Sequence, residues 1–189
     1  MKRIYTIGHS TRSLDELVSL LHEHGVTRLA DIRRYPGSRR HPHFSRESLE
    51  RSLPLDYIHF EDLGGRRTPS KTSRNMAWEN PQFRGYADYM CTPEFRAAVN
   101  RLLSGAAPAS GAGPVAEAAT APLGATAVMC AEAVPWRCHR NLLADDLVRR
   151  GVEVVHIIGP AATQPHKLSA MARIDGDCVT YPPEQGAMF

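Results

Sequence analysis

Arg3-Ile-Tyr-Thr-Ile7, the turn Gly8-His9-Ser10-Thr11, the cap Ser13-Leu-Asp-Glu16, and after Gly25 the run Thr27-Arg-Leu-Ala-Asp31-Ile32 together decide the fold class. The first and last pieces are short, apolar and partly β-branched, as strands covered on both faces are. Between them, Ser13 and Glu16 have the spacing of a capping box, in which each side chain satisfies a backbone N–H left over at a helix start. Leu14, Leu17, Val18 and Leu21 recur at helical spacing, and Gly25 supplies the stop. Strand, helix and strand in about thirty residues make a βαβ unit, whose crossover leaves the two strands parallel.

The alternation continues outward. Residues 45–53 read as a helix, Leu55-Asp-Tyr-Ile-His-Phe60 as a third strand and 92–103 as a longer helix, with further strands near 126–130 and 152–158. The expectation is one α/β domain over residues 1–189, with a mostly parallel sheet flanked by helices. Two regions break the pattern. Residues 66–80 are polar, basic and poor in aliphatics, a composition that suits an ordered functional loop and a mobile lid alike. Residues 104–124 are almost wholly Ala, Gly, Pro, Ser and Thr; they bury too little apolar area to offset their ordering entropy and read as a flexible surface insertion.

Composition narrows the setting. Cys91, Cys130, Cys138 and Cys178 are too few and too unevenly spaced for a small disulfide scaffold, and the N-terminal residues lack the apolar core of a signal peptide. The reading is a cytoplasmic chain with reduced cysteines. No apolar run approaches the ~20 residues that span a bilayer, so no membrane partner is expected. The net charge of +3 is unevenly placed: Arg33 to Arg74 holds ten basic against five acidic residues. Arg33, Arg34, Arg39, Arg40, Arg46 and Arg51, with His41 and His43 among them, suit a phosphate-bearing partner, since Arg pairs with phosphate through two hydrogen bonds. The competing reading is a solvated face on a chain that uses 20 Arg to 3 Lys throughout.

The reactive side chains concentrate in Cys130-Ala-Glu132-Ala-Val-Pro135-Trp136-Arg137-Cys138-His139-Arg140, between a buried strand and a helix with Leu142, Leu143, Leu147 and Val148 on one face. Pro135 fits the first turn of that helix, which places Cys138 among its unpaired N–H groups, where a thiolate or an anion is favoured over the strand-end Cys130. In an open parallel sheet, ligands bind outside the carboxyl ends of the strands. That rule gathers Gly8, His9 and Ser10 from the first strand, Asp31, Arg33 and Arg34 from the second, and Glu132 with the Cys138 loop. Glu132 or His9 is the candidate acid or base and Cys138 the candidate nucleophile. Ser10, Asp31, Arg33, Arg137, His139 and Arg140 are the candidate substrate-binding residues. Asp31 serves equally well to orient Arg33, and Ser10 to satisfy backbone groups.

A Cys-x5-Arg phosphate loop would put arginine at position 136, where Trp136 stands, so that identification fails. Cys130, Cys138, His9, His139, His41 and His43 are all able to bind zinc. A Cys-x7-Cys pair lacks the short chelating step of common structural sites, so no metal ligand is assigned and no cofactor is named.

The ordered set Ile4-Tyr-Thr-Ile-Gly8-His9-Ser10, Asp31-Ile-Arg33 with Pro36-Gly-Ser38, Leu63-Gly64-Gly65, and Cys130-Ala-Glu132 with Pro135 and Cys138-His139-Arg140 resembles the family of domain of unknown function 488. The resemblance covers nearly the whole chain. It implies a compact α/β domain and points to the same residues, carries no activity with it, and makes 104–124 an insertion where relatives have a shorter link. The function expected is that of a hydrolase or group transferase acting on a phosphorylated, nucleotide or nucleic-acid substrate. The alternative is a non-catalytic nucleic-acid-binding module in which Cys138-His139-Arg140 stabilises a loop and Tyr35, Phe44 and Trp136 supply stacking surfaces. Oligomeric state has no signature in the sequence.

Overall fold

Along β1 (Arg3–Gly8) the side chains alternate between two cores, Ile4 on one face of the sheet and Tyr5 with Ile7 on the other, and the layering follows from that alternation. The computed structural model describes residues 2–37, 39–105 and 124–183. Next in the chain come α1 (Leu14–Glu23), β2 (Val26–Asp31), α2 (Arg46–Ser52), β3 (Asp56–His59), α3 (Pro81–Met90) and α4 (Pro93–Ser104). After them come β4 (Ala125–Cys130), α5 (Arg140–Arg149), β5 (Glu153–Gly159), β6 (Ala162–Pro165), β7 (Arg173–Asp175) and β8 (Cys178–Thr180).

The main sheet has the order β3-β2-β4-β1-β5-β6, with β1 to β5 parallel and β6 antiparallel at the edge; β7 and β8 form a separate antiparallel pair. On one face Leu17, Leu20 and Leu21 of α1 and Leu49 of α2 pack with Tyr5, Ile7, Leu29 and Met129. On the other, Tyr86 of α3, Phe95 and Val99 of α4, and Leu142, Leu143 and Leu147 of α5 pack with Ile4, Ala30, Val128 and Val154. The expected single α/β domain with a mostly parallel, helix-flanked sheet is the observed one. The capping box also forms: Ser13 Oγ accepts the Glu16 N–H, and the Ser13 N–H donates to Glu16 Oε2 at 2.6 Å.

The sequence reading passed over α3. Asn80 caps it through the Gln82 N–H and Pro81 opens it, but its buried residues are Gly85, Tyr86, Ala87 and Met90, too few aliphatics for a clear helical period. That helix decides the state of residues 66–80. Asp88 accepts hydrogen bonds from the Ser70 N–H, Ser73 Oγ and Asn75 Nδ2, while buried Asn75 accepts the Tyr181 N–H. The segment is therefore an ordered loop. The C-terminal strand pair is anchored by fully buried Asp145 of α5, which accepts from His166 Nε2, the Ser169 N–H and Oγ, and Tyr181 OH. Cys91 and Cys178 form a disulfide joining the end of α3 to β8, which corrects the expectation of four reduced cysteines; Cys130 and Cys138 are free. The 104–124 segment lies outside the described residues except for Ser104, Gly105 and Gly124. Among the described residues no helix is long and apolar enough to cross a membrane.

Candidate active site at the carboxyl edge of the sheet

β1 and β4 are neighbours, yet β1 leads into α1 on one face and β4 into α5 on the other, so the chain diverges between them and leaves the crevice that parallel sheets use for ligands. Backbone hydrogen bonds hold its two lips together, from the His9 N–H to Cys130 O and from the Ser10 N–H to Ala131 O, both 2.9 Å. Gly8 is required there because a Cβ would lie 1.8 Å from Glu132 O. Ser10 turns the chain with a positive φ of 50°, a conformation that costs a non-glycine residue energy and is often kept beside a functional site.

Asp31 and Arg33 form a buried ion pair at the end of β2, with Arg33 Nη2 2.5 Å and Nε 2.9 Å from the carboxylate. The Arg33 backbone N–H and Tyr57 OH also donate to Asp31, and Arg33 reaches Phe44 O. His9 donates through Nδ1 to Ser10 O at 3.0 Å and accepts Arg33 Nη1 at Nε2, 3.2 Å away, while its ring stacks on Phe44. Burial and the Arg33 charge push His9 down to about 4. At neutral pH this imidazole is uncharged with both nitrogens engaged, so it positions Arg33, and Asp31 does the same.

The two free thiols meet on the other side of the crevice. Pro135–Arg137 form a separate 3-10 turn, and α5 begins only at Arg140, so Cys138 precedes the helix and does not lie in its first turn. The extended backbone at Cys138 turns its sulfur back under the helix start, where the Arg140 N–H donates to Sγ at 3.5 Å. His139 Nδ1 stands 3.9 Å from Cys130 Sγ and 3.7 Å from Cys138 Sγ, and its Nε2–H donates to Ile32 O at 3.1 Å. Because a carbonyl only accepts, the neutral ring carries its lone pair on Nδ1, toward the sulfurs. The hydrogen bond from Cys138 holds the Cys130 thiol well below its ordinary range, while burial and that same neighbour push Cys138 up.

A cavity of about 360 Å³ opens over this group, its wall including Arg33, Arg34, Arg66, Glu132 and Arg137 with Cys130, Cys138 and His139 at its base. Among the described residues the side chains of Arg66, Glu132 and Arg137 form no ion pair, whereas Arg46 pairs with Glu50 and Arg74 with Asp175. Arg140 does not line the cavity. It is 1% exposed and donates to Glu132 O and, at 2.7 Å, to Ala133 O, bolting the Cys130–Cys138 loop to α5. Of the candidates from sequence, Arg33, Glu132, Arg137, Cys138 and His139 line one cavity, with His9 and Asp31 behind Arg33 and Arg140 behind the loop.

Sequence reasoning overlooked Arg66, whose positive φ of 58° marks the cavity rim, and the role of Gly65. A Cβ on Gly65 would lie 2.8 Å from His139 Nδ1. The Leu63-Gly64-Gly65 motif was the available signal, since paired glycines mark a close approach of chain to chain. No curated protein and no solved structure gives a significant match to the chain. Residues 13–147 match the family described as Domain of unknown function DUF488, a span that takes in Asp31, Arg33, Gly65 and the whole segment from Cys130 to Arg140, with Gly8, His9 and Ser10 of the site preceding it. By that match over most of its length, the chain belongs to the DUF488 family.

Proposed function

We propose that the protein is an enzyme, a hydrolase or group transferase, acting on a phosphorylated, nucleotide or nucleic-acid substrate in the cavity at the carboxyl edge of the sheet. One observation carries this reading: Arg66 and Arg137, with no carboxylate partner among the described residues, face the same cavity as the unpaired Glu132 and the Cys130–Cys138–His139 group. Unpaired guanidinium groups around a concave site favour an anion and stabilise charge that develops during group transfer. Glu132 is exposed and its carboxylate makes no hydrogen bond among the described residues, which leaves it available to move a proton at the mouth. The thiol–imidazole group at the base supplies electron-rich atoms for the reaction.

A second reading has its own support. Tyr35 and Trp136 are 64% and 55% exposed beside Arg34 and Arg137, as stacking platforms for an unpaired strand would be, whereas Phe44 is fully buried against His9 and offers none. Turnover separates the two. A panel of phosphate esters, nucleotides and oligonucleotides is to be screened with the wild type and Glu132→Gln. The Gln variant should fold normally and lose ~10²–10⁴-fold in rate, the usual contribution of a positioned acid or base. Wild-type rates in Glu132→Gln would remove Glu132 from the chemistry. Tight oligonucleotide binding without turnover on any of the panel would favour the binding module.

A further inference from the structure

We propose that Cys130 Sγ, Cys138 Sγ and His139 Nδ1 form a zinc site with three protein ligands and a fourth position open to the cavity. The three donor atoms lie within 4.8 Å of one another. Tetrahedral zinc with sulfur at about 2.3 Å and nitrogen at about 2.0–2.1 Å sets sulfur and nitrogen ~3.6 Å apart. The observed sulfur–nitrogen separations are 3.9 and 3.7 Å, within a few tenths of an ångström of that value.

The surroundings fit a ligand set as well as the distances do. His139 Nε2–H is held by Ile32 O at 3.1 Å, which fixes the ring and aims the Nδ1 lone pair at the sulfurs. Metal-bound histidines are held from behind by a carbonyl or carboxylate in this way. The Arg140 N–H on Cys138 Sγ supports a thiolate there, and Gly65 keeps a side chain away from Nδ1. Thiolates with an imidazole select zinc over magnesium or calcium, and two thiolates balance the dication. Among the described residues no fourth Cys, His, Asp or Glu joins the group. Three ligands with an open position are the pattern of catalytic zinc, in which the metal lowers the pKa of a bound water or polarises an oxygen. All three ligands line the cavity, so that position faces the unpaired Arg66, Arg137 and Glu132. Spacing alone misses this site because Cys138 and His139 return to Cys130 through the 3-10 turn at Pro135–Arg137.

The inference goes beyond the substrate reading, and its test needs no substrate. Protein made without a chelating tag is stripped of metal, held under inert gas with its Cys91–Cys178 disulfide intact, and titrated with Zn²⁺ alone in competition with a chromophoric chelator. Uptake of about one Zn²⁺ per chain is expected, falling well below one in Cys138→Ala and in His139→Ala. Should those variants fail to fold, two wild-type measurements decide. Co²⁺ should give the charge-transfer band of thiolate ligation, and Zn²⁺ should protect Cys130 and Cys138 from alkylation in mass-resolved labelling. Folded wild-type protein that takes up no Zn²⁺, uptake unchanged in both variants, or equal labelling with and without Zn²⁺ would overturn the site. Zinc binding without turnover on any phosphate substrate would leave the site standing and remove the proposed activity.

Discussion

Gly65 and His139 show how closely the site depends on single atoms. The space that a Cβ would take at Gly65 is held by the His139 ring, 2.8 Å away at Nδ1, whereas a Cβ at Gly37 would meet nothing within 4 Å. Gly65→Ala should therefore cost ~1–3 kcal/mol in urea denaturation, the usual range for overpacking, and turn Nδ1 away from Cys130 and Cys138. The displaced ring should reduce Zn²⁺ uptake, while Gly37→Ala leaves both stability and uptake near wild type. Equal effects from the two changes would mean that Gly65 matters for backbone entropy alone. Cys138 teaches the complementary lesson. Its neighbourhood was legible as a cavity-lining cluster because the residue types were unusual, but its place outside the helix was not. Pro135 suits the first turn of a 3-10 segment as well as that of an α-helix, and only tertiary packing separates the two.

Elements whose local signals agreed were readable. β1, α1 and β2 combined β-branched apolar runs, a capping box and a helical leucine period, whereas α3 had a cap and a proline but few aliphatics. The contact between β5 and α5 was out of reach of any local signal. Thr6 Oγ1 donates to His156 Nδ1, His156 Nε2–H to His166 Nδ1, and His166 Nε2–H to Asp145, linking β1, β5, the segment after β6, and α5. Burial, with His166 and the Arg140 guanidinium nearby, pushes His156 down to about 3, and His9 is held at about 4. Both rings stay neutral in the folded chain while the unfolded chain takes up protons near the ordinary value of ~6.5. Stability should therefore be unaffected by these groups above about 6.5 and fall as the pH drops below it, continuing until each folded-state value is passed. Urea midpoints between pH 8 and 5 measure this. The fall should be shallower in His156→Gln, and a wild-type midpoint that stays level below 6.5 would contradict the buried neutral rings.

Across the whole molecule, the site exists because β4 enters the sheet between β2 and β1, and β1 and β4 send their helices to opposite faces. Sequence order could announce a parallel sheet and a functional edge, but not which strands would be neighbours, since that depends on contacts far apart in the chain. The basic run from Arg33 to Arg74 was equally ambiguous. Arg33 turns out to be neutralised by Asp31, Arg46 by Glu50, and Arg67 lies over the Tyr89 ring, while Arg39 and Arg40 remain exposed outside the cavity wall. Calorimetric titration at low ionic strength with pyrophosphate, a nucleoside diphosphate and a single-stranded oligonucleotide separates the cavity from that outer surface. If the cavity holds the anion, the small phosphates bind, and Arg137→Ala weakens them by about 10–100-fold, the loss expected for a hydrogen bond to a charged group. Arg39→Ala combined with Arg40→Ala then leaves that binding almost unchanged. Failure of all three ligands to bind, or binding that survives Arg137→Ala and disappears with Arg39 and Arg40, would contradict an anion site in the cavity.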